Sequence, residues 1–189
     1  MALISFLFLE FKWDVSSPLL AASTAAGDLK GQLKLSGTGN SIATKIALDR
    51  EPFNTLVTSA VMEKGVHRIS FKMGKGEAED LGMFCGVVRD GAAWNELHAM
   101  RDGAGWFMSR GGSLCGNGKE GDDRAGLINE GQILSLELDL DLGTLMFFVD
   151  GKRHGPGNTS GVTGKLRFAA TAMWIGNCVQ IVPTPELEV

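Results

Sequence analysis

The sequence of 189 residues predicts an all-β fold, a two-sheet antiparallel β-sandwich built as a single domain. Short apolar runs recur along the chain, and glycine or Asp-Gly pairs separate them. No window of about a dozen residues keeps a helical apolar stripe free of helix breakers. The nearest candidate, Ala92–Arg101, is short and flanked by glycine. Many short strands at regular spacing, without helices between them, are typical of a sandwich or jelly roll.

The segment Gly131–Gly155 carries the clearest strand pattern. In Ile133–Leu140, apolar residues alternate with serine, glutamate and aspartate, which is the period of a half-buried strand. Gly143 lies in the turn that follows, where it can take a positive φ. Leu145–Val149 is the predicted partner strand, and Asp150-Gly151 is typical of a second tight turn. Together these features predict a β-meander.

The remaining strands are predicted from shorter apolar runs between turn residues. In chain order they are Leu3–Trp13, Gln32–Leu35, Ile42–Leu48, Leu56–Met62, His67–Met73, Leu81–Arg89, Gly105–Ser109, Leu166–Met173 and Cys178–Val182. Trp106 lies within one of them and is predicted to belong to the core. Three glycine-rich stretches are predicted to be long exposed loops: Gly74–Asp80, Gly111–Gly126 and Gly151–Gly164.

Composition and charge limit the classes of partner. The net charge is −4 and no basic stripe is present, so nucleic acid is not an expected partner. Met1–Leu9 is apolar but too short to span a bilayer, so a first strand is favoured over a secretory signal and no membrane partner is expected. The three cysteines are widely spaced, and Cys85 and Cys178 are predicted to be buried thiols rather than a disulfide pair. A reducing, cytoplasmic location follows as an expectation.

One strand carries a pattern that could be catalytic. Glu137, Asp139 and Asp141 alternate, so they share one face, as the carboxylates of some jelly-roll glycosidases do. Retaining glycosidases need two carboxyl groups roughly 5–5.5 Å apart, whereas alternate strand positions lie farther apart unless a twist or bulge intervenes. The preferred interpretation is therefore that the three carboxylates lie on a solvated strand face and in its turn. A carbohydrate-binding or β-glucan-cleaving jelly roll that uses these residues stays as the alternative.

Other signals for enzyme chemistry are weaker. The histidines and cysteines lack zinc spacing, and no calcium-binding repeat is present. Gly37-Thr-Gly39 and Gly74-Lys-Gly76 neither open a predicted helix nor complete a phosphate-binding pattern. We therefore expect no catalytic residue, no metal and no cofactor.

With the strands in order, the chain resembles the SPRY (B30.2-like) domain family, whose sandwich is concanavalin A-like. The blocks that carry the resemblance are Gly65–Phe71, Leu81–Arg89, Gly105–Met108, Gly131–Asp139, Gly143–Gly151 and Leu166–Trp174. The similarity covers roughly residues 40 to 183, and its most specific part is Gly131–Gly151. Elements of the PRY type are not recognisable in the sequence.

The resemblance implies a non-catalytic module whose loops at one end of the sandwich bind a protein or a short peptide, within a larger complex. In SPRY proteins that carry a SOCS box, a Val-Trp-Gly segment before the final strand lines a pocket for an Asn-rich peptide. Met173-Trp174-Ile175-Gly176 lies at the same place and is one residue longer. That group also has a pocket tyrosine, and Trp94 lies in the corresponding loop.

Two tryptophans and two arginines at strand boundaries complete the predicted site. A large amphipathic ring near a loop favours recognition, although a tryptophan in a sandwich is more often core. An arginine at such a position is more often a solvated charge than an anchor. The predicted partner-binding residues are Arg50, Arg89, Trp94, Met173, Trp174 and Gly176.

Overall fold

The computed structural model describes residues 11–16, 33–46, 54–74, 82–92, 105–116 and 119–188. These residues form an all-β structure with one short 3₁₀ turn at Thr38–Asn40. In chain order the strands are β1 Leu33–Ser36, β2 Ile42–Lys45, β3 Asn54–Val57, β4 Val66–Met73, β5 Met83–Arg89, β6 Gly105–Ser109, β7 Ser113–Gly116, β8 Lys119–Arg124, β9 Ile133–Asp139, β10 Thr144–Val149, β11 Lys152–Arg153, β12 Leu166–Ala172 and β13 Cys178–Val182.

The described strands lie in two antiparallel sheets. The first has seven strands in the order β1-β2-β13-β4-β9-β10-β11. The second has six strands in the order β3-β12-β5-β6-β7-β8. The predicted antiparallel sandwich is confirmed.

The β9–β10 hairpin has the predicted geometry. Leu145 pairs with Leu138 and Phe147 with Leu136, so the apolar side chains of both strands share the inward face. Gly143 has φ +69° in the connecting turn. Asp150 and Gly151 have φ +49° and +84°, which are the two positive values that a type I′ turn requires.

The core lies between the two sheets and is rich in aromatic rings. Trp106 is 2% exposed, as predicted for a core residue. Trp13 stacks on Phe71 with ring centroids 5.7 Å apart, and its indole N–H donates to the carbonyl oxygen of Ser41 at 3.0 Å. Of the predicted first strand Leu3–Trp13, residues 3–10 lie outside the described residues, and Trp13 forms a single antiparallel bridge with Thr58.

One predicted loop is wrong because most of it forms strands, and a second contains only one two-residue strand. The stretch Gly111–Gly126 contains β7 and β8, and Gly151–Gly164 contains the short β11. These strands are short and carry charges or glycine, so their pairing depends on the neighbouring strand rather than on their own pattern. Charged short strands at a sheet edge also resist pairing with other molecules. The remaining predicted loop is Gly74–Asp80, and its residues 75–80 lie outside the described residues. Residues 93–100 of the helix candidate also lie outside them.

The last described segment crosses the outer face of the first sheet. Thr184 accepts a hydrogen bond from the Ser70 hydroxyl at 3.0 Å, and Ser70 and Ser135 are bonded to each other at 2.7 Å. The backbone N–H of Glu188 donates to the carbonyl oxygen of Gly151 at 2.8 Å. Ser70 and Ser135 are consequently buried although they point away from the core.

The strand directions define two ends of the sandwich. The Trp174 end comprises the first residues of β3 and β5, the last residues of β12 and the turn 173–177 that leads into β13. At the Arg89 end, β5 finishes and β12 begins, and Leu166 lies opposite Arg89. Because β5 has seven residues, the two ends are about 20 Å apart.

Candidate partner-binding site

The turn between β12 and β13 is fixed at both sides by hydrogen bonds. The Trp174 backbone N–H donates to Oδ1 of Asn177 at 2.8 Å, and the Asn177 N–H donates to the Trp174 carbonyl oxygen at 3.0 Å. The Gly176 N–H donates to the carbonyl oxygen of Lys45, and the Lys45 N–H donates to that of Asn177. Gly176 has φ +83°, a backbone conformation that suits glycine. The turn is therefore a rigid platform.

Trp174 is held against the start of β5. The Met173 N–H donates to the carbonyl oxygen of Gly82 at 2.9 Å, which joins the turn to β5. A Cβ atom on Gly82 would lie 2.8 Å from Cδ1 and Nε1 of the Trp174 indole and 2.7 Å from Cβ of Met173. The indole therefore packs directly on the Gly82 backbone, and Trp174 is left half-buried. It lies at the surface of this end rather than in the core.

Three side chains at this end have buried polar atoms that lack partners among the described residues. Both amide atoms of Asn54, Nδ2 of Asn177 and Nε1 of Trp174 lack hydrogen-bond partners in the described part of the chain. Asn54 lies opposite Ala172 in the sheet and is 1% exposed, while Asn177 is fully buried. Neither Asn54 nor Asn177 is among the partner-binding residues that the sequence predicts. An asparagine at a strand boundary is typical of a turn, so no local pattern in the sequence identifies Asn54 or Asn177 as a site residue.

The last residues of β2 border the same turn. Lys45 is fully buried, and alternation with Ala43 places its side chain on the inward face of β2. Ile46, the next residue, is 42% exposed. Exposed apolar surface thus lies beside the half-buried Met173, Trp174 and Ile175.

Arg89 lies at the other end of the sandwich. Its guanidinium carbon lies 5.1 Å from the ring centroid of Trp106, and Nη1 donates to the carbonyl oxygen of Thr163 at 2.9 Å. The arginine therefore covers the edge of the core at the Arg89 end. The structure does not bring it together with Met173, Trp174 and Gly176, so the six predicted residues do not form one continuous rim.

Arg50 and Trp94 lie outside the described residues. The roles of both residues remain predictions.

The three carboxylates of the alternative reading each have a structural partner. Glu137 forms an ion pair with Arg68 on the neighbouring strand. Oδ1 of Asp139 accepts hydrogen bonds from the backbone N–H groups of Asp141 and Leu142, both at 2.9 Å. Oδ1 of Asp141 accepts from the Gly65 N–H at 3.0 Å. The carboxylates hold strands and turns together, and this arrangement favours the structural interpretation.

The cysteines are free thiols in different environments. Cys85 is fully buried, as predicted, and burial raises the pKa of its thiol far above the ordinary value. Cys178 is half-buried rather than buried, because alternation turns Val179 toward the core and Cys178 away from it. Partial burial raises the pKa of Cys178, and the charge of Glu130 acts in the same direction.

The described residues also bear on metal binding and membrane insertion. Within them, no group of three or more histidine, cysteine, aspartate or glutamate residues is arranged to hold a metal ion. No helix in the same residues has the length and apolar character needed to cross a membrane.

Comparison with known proteins identifies the fold. No family model and no curated protein matches the chain. The SPRY domain of human HERC1 superposes with a TM-score of 0.64 and 19% identity, over 76% of this chain and 89% of that chain. The TRIM65 PSpry domain superposes with a TM-score of 0.67 and 13% identity, over 92% of each chain.

Stonustoxin contains a region of the same shape. It superposes with a TM-score of 0.62 and 16% identity over 91% of this chain, but over only 27% of its own chain. The three likenesses confirm the SPRY-like fold that the sequence predicts.

Proposed function

We propose that this SPRY-like domain is a non-catalytic protein-interaction module that docks an extended segment of a partner protein at the Trp174 end. The observation that carries the proposal is the position of Trp174, which is half-buried at the surface in a turn that hydrogen bonds fix on both sides. Preformed loops of this kind bind with little backbone change.

The chemistry of the turn suits recognition. Tryptophan offers a large rigid ring with one polar atom and is among the residues that dominate binding energy at interfaces. Met173 lies beside it, and Ile46 adds exposed apolar surface from β2. Since the backbone here is already ordered, a partner would lose little of its binding energy to ordering this turn.

Position in the fold divides the proposed residues. Met173, Trp174 and Gly176 share the Trp174 end, while Arg50 and Trp94 lie outside the described residues and stay predicted contacts. Arg89 lies about 20 Å away along β5, so we assign it to a second, separate surface. The proposed module acts in the cytoplasm within a larger complex, and its three free thiols suit a reducing compartment.

Affinity capture from the source organism tests the proposal, with wild type compared with Trp174→Ala. We expect Trp174→Ala to abolish capture of the partner while the melting temperature changes by no more than about 4 °C. Leu142→Ala is the matched control, since Leu142 is 73% exposed in the β9–β10 turn at the opposite end. That variant should capture the partner as wild type does.

Two outcomes would contradict the proposal. Capture that survives Trp174→Ala would place the binding surface elsewhere. A large loss of stability in Trp174→Ala would show that this side chain belongs to the core. In addition, hydrolysis of a β-glucan that Glu137→Gln abolishes would favour the alternative jelly-roll enzyme.

A further inference from the structure

Several buried hydrogen-bonding groups at the Trp174 end lack partners among the described residues. Asn54 presents an unpartnered donor and an unpartnered acceptor, and Asn177 and Trp174 each present one unpartnered donor, within the residues that the structure describes. Buried polar groups without partners are rare in native proteins, and each one destabilises the fold. Their concentration at one place suggests that a ligand supplies the missing partners.

The three side chains are close neighbours in the fold. Asn54 pairs with Ala172, and Ala172 pairs with Met83, so all three share the inward face of the second sheet. Trp174 follows Ala172 by two residues and packs on Gly82, the residue before Met83. Oδ1 of Asn177 accepts the backbone N–H of Trp174. The unmatched groups therefore lie around the first residues of β3 and β5.

The pattern of donors and acceptors identifies the chemistry of a ligand. A carboxamide side chain such as that of Asn54 has a donor beside an acceptor, which is complementary to the N–H and C=O of a peptide group. The other two groups are N–H donors, which match carbonyl oxygens. A single side-chain amide would supply one carbonyl oxygen for three donors, whereas successive peptide groups supply one each. A carboxylate would leave the Asn54 acceptor unmatched and would bring a charge into a buried place.

We infer that the Trp174 end recognises the main chain of an extended segment, whose peptide groups bond to Asn54, Asn177 and the Trp174 indole N–H. The half-buried indole moves aside to admit the segment. It packs on Gly82, and its Nε1 donates no hydrogen bond to a described residue, so no such bond has to break. This inference rests on the proposed function for the position of the site and adds the chemical group that is recognised.

The inference predicts opposite effects of one substitution on stability and on binding. Asn54→Leu replaces an unpartnered buried amide with an apolar group of similar size, so the melting temperature should rise by about 2–4 °C. The same substitution removes the groups that match a peptide unit, so affinity for such a ligand should fall about tenfold or more. A purely structural asparagine would give a lower melting temperature instead, and that result would overturn the inference.

The direct test is an NMR titration of the full chain with three small probes. N-acetylglycine N′-methylamide represents the main chain, acetamide a side-chain amide, and acetate a carboxylate. We expect the first probe to shift the side-chain NH₂ signals of Asn54 and Asn177 and the indole N–H signal of Trp174. Asn54→Leu should abolish the shifts of the Asn177 and Trp174 signals. Asn158→Leu should keep them, since Nδ2 of Asn158 is also buried and unpartnered but Asn158 pairs with Leu145, away from the Trp174 end.

Each other outcome overturns the inference. Shifts with acetamide alone would assign the site to side-chain amides, and shifts with acetate alone would assign it to carboxylates. No shift with any probe would show that the buried groups serve no ligand. The affinity capture described above decides the proposed function separately, because it depends on Trp174 and a natural partner rather than on Asn54 and the probes.

Discussion

Arg167 joins three separate parts of the chain on the outer face of the second sheet. Its Nε donates to Oδ1 of Asp90 at 2.7 Å, and Nη1 donates to Oδ2 of Asp14 at 3.1 Å. Nη1 also donates to the carbonyl oxygens of Thr58 and Ser59. The segment 11–16 is thus tied to β12 by a half-buried charge as well as by Trp13. A single arginine here contributes more than an exposed ion pair could, because it satisfies backbone carbonyls at the same time.

Asp14 makes part of this stability dependent on pH. Partial burial alone would raise the pKa of Asp14, but hydrogen bonds from Ser16 and the charge of Arg167 outweigh it and hold the pKa below the ordinary value of 3.8. The ionised form therefore stabilises the native state above the unfolded pKa, and this contribution is lost as pH falls through the native pKa. Wild type should lose more stability between about pH 5 and about pH 2 than Asp14→Asn does. Urea unfolding at a series of pH values measures the difference.

The control for this prediction is Glu63→Gln. Glu63 pairs with Lys165 at 2.7 Å, but both side chains are more than half exposed. Because solvent screens such an exposed pair, Glu63→Gln should leave the stability and its pH dependence nearly as in wild type. Parallel pH profiles for wild type and Asp14→Asn would show that Asp14 does not contribute in the expected way.

At the scale of elements, the approach of the 173–177 turn to β5 depends on the absence of a side chain at Gly82. We expect Gly82→Ala to displace the Trp174 indole, because the added Cβ would lie 2.7–2.8 Å from Met173 and Trp174. The indole N–H signal of Trp174 in an NMR spectrum should move, and partner capture should weaken at least severalfold. Gly131→Ala is the control, since Gly131 has φ +83° and no heavy atom lies within 4 Å of an added Cβ. It should lower stability by about 1 kcal/mol and leave the Trp174 signal in place.

The strands differ in how far their own residues predict them. β9 was predictable from its alternation, and β10 from an apolar run between the Gly143 turn and the Asp150-Gly151 turn, so local chemistry specifies both. β7 and β8 were not, since Ser113–Gly116 and Lys119–Arg124 carry no alternating pattern. Their backbone groups pair because β6 lies next to β7, and that is a property of the sheet.

At the scale of the whole molecule, the segment 183–188 is part of the fold rather than an appendage. Phe148 points to the outer face of the first sheet, opposite Ser135, yet it is 2% exposed. Leu187 is 9% exposed, and the contacts of Thr184 and Glu188 place the segment across the same face. The segment therefore covers apolar surface that would otherwise meet water.

Deletion of residues 184–189 should consequently destabilise the domain. Exposure of a ring such as that of Phe148 costs about 2 kcal/mol, which corresponds to a fall of about 4–8 °C in melting temperature. Differential scanning calorimetry measures this change. Glu186→Ala is the control, because the contact of residue 186 with Gly151 is made by its backbone carbonyl oxygen. An unchanged melting temperature after the deletion would show that the segment contributes nothing to the fold.

The sequence by itself determined the class of the fold, the central hairpin, the order of most strands and the core position of Trp106. These features depend on alternation, on turn chemistry and on apolar volume, all of which are encoded locally. Only the tertiary structure decided which strand boundaries meet at each end. It separated Arg89 from Trp174, because β5 and β12 are antiparallel and each residue takes its end from the strand direction. It also gathered Asn54, Gly82 and Asn177 around Trp174. Pairing between strands that are distant in sequence brings such residues together, and the pattern within one strand does not specify that pairing.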